Sequence, residues 1–265
     1  MPALAWGNLH ARFAMKVGST MARGLSTTGA LPALYGNPVA LSAERHGKLR
    51  LARKIDFGFA RHVNAVPLNT SEFKLAVRFY PIVFAGGDPI TTLVILGVRE
   101  NTNLFVSDAG GWELEHYVPA YIRRYPFIFM TDPATKKFLL CIDEDSSLLQ
   151  MSGDQILFAD GKPSTPVQRA LNFCTAYQNQ SEQTRDFAQA VQDAGLLVPN
   201  RAEITLPSGE KLAMGGFSVI DEEKFAELPD AIFLEWRKRG WLPLIHYHLL
   251  SASNWALLVQ RSGKA

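Results

Sequence analysis

The sequence predicts an α+β fold: a β-rich N-terminal half with mainly antiparallel sheet, and a helical C-terminal half packed against it. Three observations point there. From about Leu34 to Pro163, apolar residues fall in short, often β-branched runs divided by Gly, Asp, Asn and Pro. Beyond Pro163 the apolar spacing lengthens from a strand period toward a helical one. No internal repeat, heptad series or low-complexity tract suggests any other architecture.

In the first half, Thr91 to Val98 is nearly continuous in apolar character, as in a strand covered on both faces. Asn103-Leu104-Phe105-Val106 follows a polar turn at 100–102 and suggests a hairpin with it. Asp108-Ala109-Gly110-Gly111-Trp112 is turn chemistry, and Gly86-Gly87-Asp88-Pro89 is a plain turn. Phe127–Met130 and Phe138–Ile142 read as a strand pair joined through Asp132-Pro133-Ala134-Thr135-Lys136. Ile156-Leu157-Phe158 is a further short strand, with Asp160-Gly161 as its turn.

In the second half, Val167, Leu171, Cys174 and Tyr177 recur at helical spacing, with Pro166 in the first turn. A second helix is expected from about Gln183 to Ala194, stopped by Gly195, with the polar stretch Tyr177–Thr184 as a hinge. Glu203–Leu206, a Ser208-Gly209 turn and Lys211–Val219 read as strand, turn and return. Asp221 caps a short helix running to Leu228, and Pro229 opens another over Asp230–Arg239 that Gly240 ends. The apolar tail from Trp241 to Leu258 packs back on the core. Residues 34–260 are expected to form one domain.

A chain of 265 residues, 47% hydrophobic, buries roughly 70–75% of the surface its unfolded form exposes and needs no covalent staples. Its 27 basic and 25 acidic side chains are interspersed and leave a net charge of +2, which gives no basic stripe for nucleic acid. Cys141 and Cys174 sit among apolar neighbours and read as reduced core residues. No apolar run reaches the 18 or so residues that span a bilayer. The first acid is Glu44, so residues 1–33 read as a disordered arm or an over-long start. They lack the unbroken apolar stretch of a secretory signal, which makes the cytoplasm the expected compartment.

The densest polar and aromatic cluster is Tyr121-Ile122-Arg123-Arg124-Tyr125-Pro126-Phe127. Paired arginines can clamp a carboxylate or phosphate with bidentate bonds. In a strand they face opposite ways, so one of them enters a site. The same arginines can instead stabilise the fold by lying over tyrosine rings, or can pair with Asp143-Glu144-Asp145. Trp112 joins Tyr121, Arg123, Arg124 and Tyr125 as a ligand-binding candidate. His246 and His248 flank Tyr247, and a strand there would present both imidazoles on one face. With Asp143, Glu144 or His116 they would form an open iron or zinc site. Backbone-bonded, partly buried histidines are the simpler expectation, so no cofactor is expected and iron or zinc is the alternative. No Gly-x-Ser-x-Gly elbow or phosphate loop is present. Cys141, inside an apolar strand, is a poor nucleophile.

Several phrases together resemble the SapC family. They begin with Tyr35-Gly36-Asn37-Pro38-Val39-Ala40-Leu41-Ser42 and Glu44-Arg45-His46, and continue through Val66-Pro67-Leu68 and Tyr80-Pro81-Ile82-Val83-Phe84. The most specific is Asn103 through Trp112 followed by Tyr117-Val118-Pro119-Ala120 and the arginine–tyrosine cluster. Cys141-Ile142-Asp143-Glu144, Leu157 to Gly161, Gly195-Leu196-Leu197 and His248-Leu249-Leu250-Ser251 complete the order. The likeness runs from about Leu34 to Leu258. It implies a bacterial origin and an association with surface layers. It brings no catalytic residues with it.

The first expectation is therefore a cytoplasmic accessory or interaction protein, with a protein partner in a bacterial surface-layer or envelope-uptake system. The alternatives are a metal-dependent enzyme acting on a small molecule or peptide, and a surface-layer component exported without a signal peptide.

Overall fold

The computed structural model describes residues 31–206 and 208–263, so residues 1–30 of the expected arm lie outside it. The strands are β1 (Pro38–Ala40), β2 (Arg50–Leu51), β3 (Ala65–Pro67), β4 (Ile82–Ala85), β5 (Thr91–Ile95), β6 (Phe127–Thr131) and β7 (Phe138–Asp143), then β8 (Leu149–Gln150), β9 (Phe158–Ala159), β10 (Lys162–Pro163), β11 (Leu197–Thr205) and β12 (Lys211–Ile220). The helices are α1 (Ala43–His46), α2 (Phe73–Ala76), α3 (Ala120–Arg123), α4 (Thr165–Asp193), α5 (Glu222–Ala226), α6 (Asp230–Arg239), α7 (Leu242–Ser251) and α8 (Asn254–Ser262). Among the described residues sheets and helices coexist, every strand pairing is antiparallel, and the helices lie mostly toward the C-terminus.

The largest sheet has five strands in the order β11-β12-β4-β5-β3. Its middle matches the continuous apolar text: all four residues of β4 and the last four of β5 are buried. Phe84 on β4 meets Phe187 of α4 at 6.3 Å and His248 of α7 at 5.2 Å between ring centroids, so both helices close over this strand. The C-terminal half supplies more than helices, because its long hairpin β11/β12 extends the N-terminal sheet, with Phe217 opposite Ala85 and Ser218 opposite Phe84.

The second sheet has the order β1-β7-β6, and β6 and β7 form the expected hairpin. Successive strand residues face opposite sides, so its two faces cover different small cores. Ile128 and Cys141, directly paired, pack with Tyr35, Tyr125 and Leu148. Phe127 and Ile142, the next pair, pack with Leu157, Val167 and Cys174. The two cysteines therefore sit in separate clusters, and both are free thiols.

Three expectations change. The hinge at 177–184 is continuous helix within the 29 residues of α4. Its polar residues form the exposed stripe while Tyr177, Thr184 and Phe187 are buried, and Thr184 bonds back to the Gln180 carbonyl at 2.7 Å. Asn103–Val106 is not a strand; Leu104 N–H reaches the Leu96 carbonyl at 2.9 Å and Val106 makes one bridge to Trp112. Ala120–Arg123 form a helical turn, so the strand geometry considered for the arginine pair does not apply. By contrast the tail at 241–258 packs back on the core as expected, through the helical pair α7 and α8, with Ile245 and Leu258 fully buried. Likewise α6 ends as its sequence indicates, on Gly240 at φ 71°, a left-handed position that suits glycine. Among the described residues, no helix is long and apolar enough to cross a membrane.

Candidate functional site

The helical turn α3 decides what the arginine pair can do. Pro119 stands at its N-terminal end, and successive side chains on a helix diverge by about 100°. Arg123 and Arg124 therefore leave in different directions. Arg123 is exposed: its Nε donates to the Val118 carbonyl at 3.0 Å and its Nη2 to the Tyr117 hydroxyl at 2.9 Å. Its guanidinium also lies over the rings of Tyr117, at 5.5 Å, and Phe173, at 5.3 Å. Those contacts fasten the chain locally.

Arg124 turns inward. Its guanidinium carbon lies 4.2 Å from the ring centre of Tyr121, 4.6 Å from Tyr177 on α4 and 5.6 Å from Tyr35. Tyr35 donates its hydroxyl to the Phe127 carbonyl at 2.8 Å, and Tyr121 donates to the Ala33 carbonyl at 2.9 Å. Burial raises the phenol pKa of Tyr35, Tyr121 and Tyr177 above the ordinary tyrosine value, although Arg124 pulls the other way. The rings stay neutral at physiological pH, and the guanidinium keeps its charge. Among the described residues no carboxylate lies within 4 Å of Arg124, and its buried Nε has no hydrogen-bond partner.

This cation borders an open pocket of about 630 Å³. Part of the lining comes from β5, β6 and the residues beside β3 and β5, and mixes apolar side chains such as Leu68 and Ile90 with polar ones, Asn69, Thr91, Thr92 and Thr131. Another part is α4, which presents Tyr177, Gln178, Ser181, Thr184 and Arg185 at helical spacing. A pocket of this size, lined by both apolar and polar groups, suits a small organic molecule. A guanidinium backed by aromatic faces suits that molecule's acid group.

The other sequence candidates are scattered. The Tyr125 ring stacks on Phe59 at 4.1 Å, and its hydroxyl donates to Asp143 Oδ2 at 3.0 Å. Asp143 is buried and also accepts the backbone N–H groups of Gly36, at 3.1 Å, and Asn37, at 2.6 Å. It clamps a turn and does not face Arg123 or Arg124. Glu144 pairs with Arg45 at 2.5 Å and His46 at 3.2 Å. Trp112 packs in the core, stacked on Phe105 at 6.2 Å.

The metal reading needs a correction at its base. His246 and His248 lie on helix α7, two residues and so about 200° apart, and do not share a face. His246 is exposed, whereas His248 is buried and its Nε2 accepts the Ile220 N–H at 3.0 Å. His116 is held elsewhere: its Nε2 accepts from Arg261 at 3.0 Å and its Nδ1–H reaches the Leu114 carbonyl at 2.8 Å. Among the described residues, no three His, Cys, Asp or Glu side chains gather as a metal cluster would require.

Comparison with known proteins adds one result: the SapC family model matches residues 41–258. The chain belongs to the SapC family. The match ends where the resemblance in the sequence ends and leaves out Tyr35, although that ring backs Arg124. No curated protein and no solved structure matches the chain.

Two residues of this pocket, Tyr177 and Arg185, and one outside its lining, Glu72, are not singled out as site residues in the sequence. Tyr177 reads there only as an apolar helix position, and Arg185 carries no signal of its own. Glu72 is buried and accepts N–H groups from Asn69, at 3.1 Å, and Ala120, at 2.7 Å, and the Tyr117 hydroxyl at 2.9 Å. It sets the start of α3 and so the direction of Arg124. The Asn-x-x-Glu spacing at 69–72, a helix-start pattern, is the signal that could have exposed it.

Proposed function

We propose that this SapC-family protein is a binding module that holds a small organic anion against Arg124. It serves in this reading as an accessory protein of a bacterial surface-layer or envelope-uptake system, without catalysis of its own. The observation that carries the binding role is a guanidinium ringed by Tyr35, Tyr121 and Tyr177 and bordering a 630 Å³ pocket, with no described carboxylate beside it. Arg124 is partly buried, and a charge drawn out of water is costly unless something offsets it. Three aromatic faces offset part of that cost, and a bound acid group supplies the rest. The setting is supported by family membership. The metal-dependent alternative loses its geometric support, because α7 separates the two histidines it needs.

The test compares decanoate with 1-decanol by titration calorimetry, since the two share a chain and differ in charge. Wild type is expected to bind decanoate at least tenfold more tightly, and Arg124→Gln to abolish that preference. Arg123→Gln, which alters only the outward arginine, is expected to keep it. Equal binding of the two probes by wild type, or an unchanged preference in a folded Arg124→Gln, rules the reading out.

A further inference from the structure

The pocket carries a second cation, and its position says more about the ligand. Arg185 lines the same cavity from α4 and is exposed, with no carboxylate within 4 Å among the described residues. Tyr177, which touches Arg124, is eight residues earlier on that helix. At 1.5 Å per residue this is about 12 Å of rise along one straight element. Tyr177, Gln178, Ser181, Thr184 and Arg185 fall at offsets of one, four, seven and eight from Tyr177, which keeps them on one helix face. That face runs from the inner cation to the outer one as amide and hydroxyl groups, and the apolar part of the lining includes Leu68 and Ile90, beside β3 and β5.

We infer that the pocket takes an elongated dianion, with one acid group at Arg124, an apolar body along the apolar part of the lining and a second acid group at Arg185. This rests on the anion-binding reading above and narrows its ligand class. Arg124 supplies the anchoring site and Arg185 the preference for two charges over one. A single partly exposed charge pair is worth up to about 1 kcal/mol, about fivefold in affinity. That sets the size of preference expected.

The probes are sebacate and decanoate, ten-carbon chains with two acid groups and one, and succinate and butyrate as a pair too short to reach both arginines. Wild type is expected to bind sebacate about fivefold more tightly than decanoate and to show no such gain for succinate over butyrate. Arg185→Gln is expected to bind sebacate and decanoate alike, with decanoate unchanged from wild type. Equal affinities in wild type, or a preference that survives in Arg185→Gln, overturn the two-ended site. If decanoate still binds through Arg124 in that case, the simpler anion reading stands alone; if neither ten-carbon probe binds, both fall.

Discussion

Tyr117 donates its hydroxyl to Glu72 at 2.9 Å, and through that bond a buried carboxylate holds the segment that carries both arginines. Glu72 also accepts the N–H of Ala120, the first residue of α3, so the carboxylate and the helix start form one unit.

Removing that carboxylate strands two backbone donors and one hydroxyl. Glu72→Ala is expected to lower unfolding free energy by about 3 kcal/mol, and Glu72→Gln by about 1 to 2 kcal/mol, in urea titrations. The pH dependence has a definite sign. Burial raises the carboxyl pKa against the pull of its hydrogen-bond donors. The native state therefore holds the proton more tightly than the unfolded chain. The stability this adds is complete below the ordinary glutamate value of about 4.3 and is lost as pH rises through the raised native one. Wild type should lose stability relative to Glu72→Gln over that rise; a constant difference contradicts it.

Asp143 offers a test of coupling. It accepts from Gly36, Asn37 and the Tyr125 hydroxyl. Asp143→Ala is expected to cost about 3 kcal/mol and Tyr125→Phe about 1 kcal/mol. Because the two residues share a bond, the double variant should fall short of the sum of the single losses. Strict additivity in a double-mutant cycle would show that the bond contributes nothing.

His248 governs acid stability with the opposite sign. Burial lowers its pKa to about 4, so the folded protein keeps it neutral while the unfolded chain takes a proton near pH 6.5. Its contribution is complete above about 6.5 and is lost as pH falls toward 4, by about 3 kcal/mol. His248→Gln retains an acceptor for Ile220 and is expected to lose less stability than wild type over that interval. Equal acid losses in both would show that this imidazole does not titrate as described.

The thiols give a simple chemical check. Burial raises the pKa of Cys141 and pushes that of Cys174 up to about 11. At neutral pH the native protein should react very slowly with a disulfide reagent such as DTNB, and two thiols should appear on denaturation. Rapid reaction of either in the native state would contradict the packing of its cluster.

Much of the fold was legible because its signals are local. The apolar run at Thr91–Val98, the turn at 132–136 and the cap at Asp221 each act within a few residues. The hinge at 177–184 was misread because a solvent-facing helix stripe and a linker have the same composition; only Tyr177, Thr184 and Phe187, seen at helical spacing, separate them. The short stretch at 246–248 was ambiguous for the same reason, since two histidines around one tyrosine fit either period. The site was half visible. Arg124 and Tyr121 are neighbours in sequence, but Tyr35 and Tyr177 reach them, and Arg185 joins the same pocket, only through tertiary packing, which no window of sequence contains.

The interleaved order of the central sheet has a consequence for how the chain is made. Phe217 and Ser218 pair with Ala85 and Phe84, and α4, which walls the pocket, follows every other described segment that lines it. Contacts between such distant residues form slowly, because a long loop must close first. On the ribosome, the N-terminal strands therefore wait with an unpaired edge at β4, and the pocket stays open on one side until α4 emerges. A nascent chain halted before residue 165 has its inner arginine but no wall opposite it.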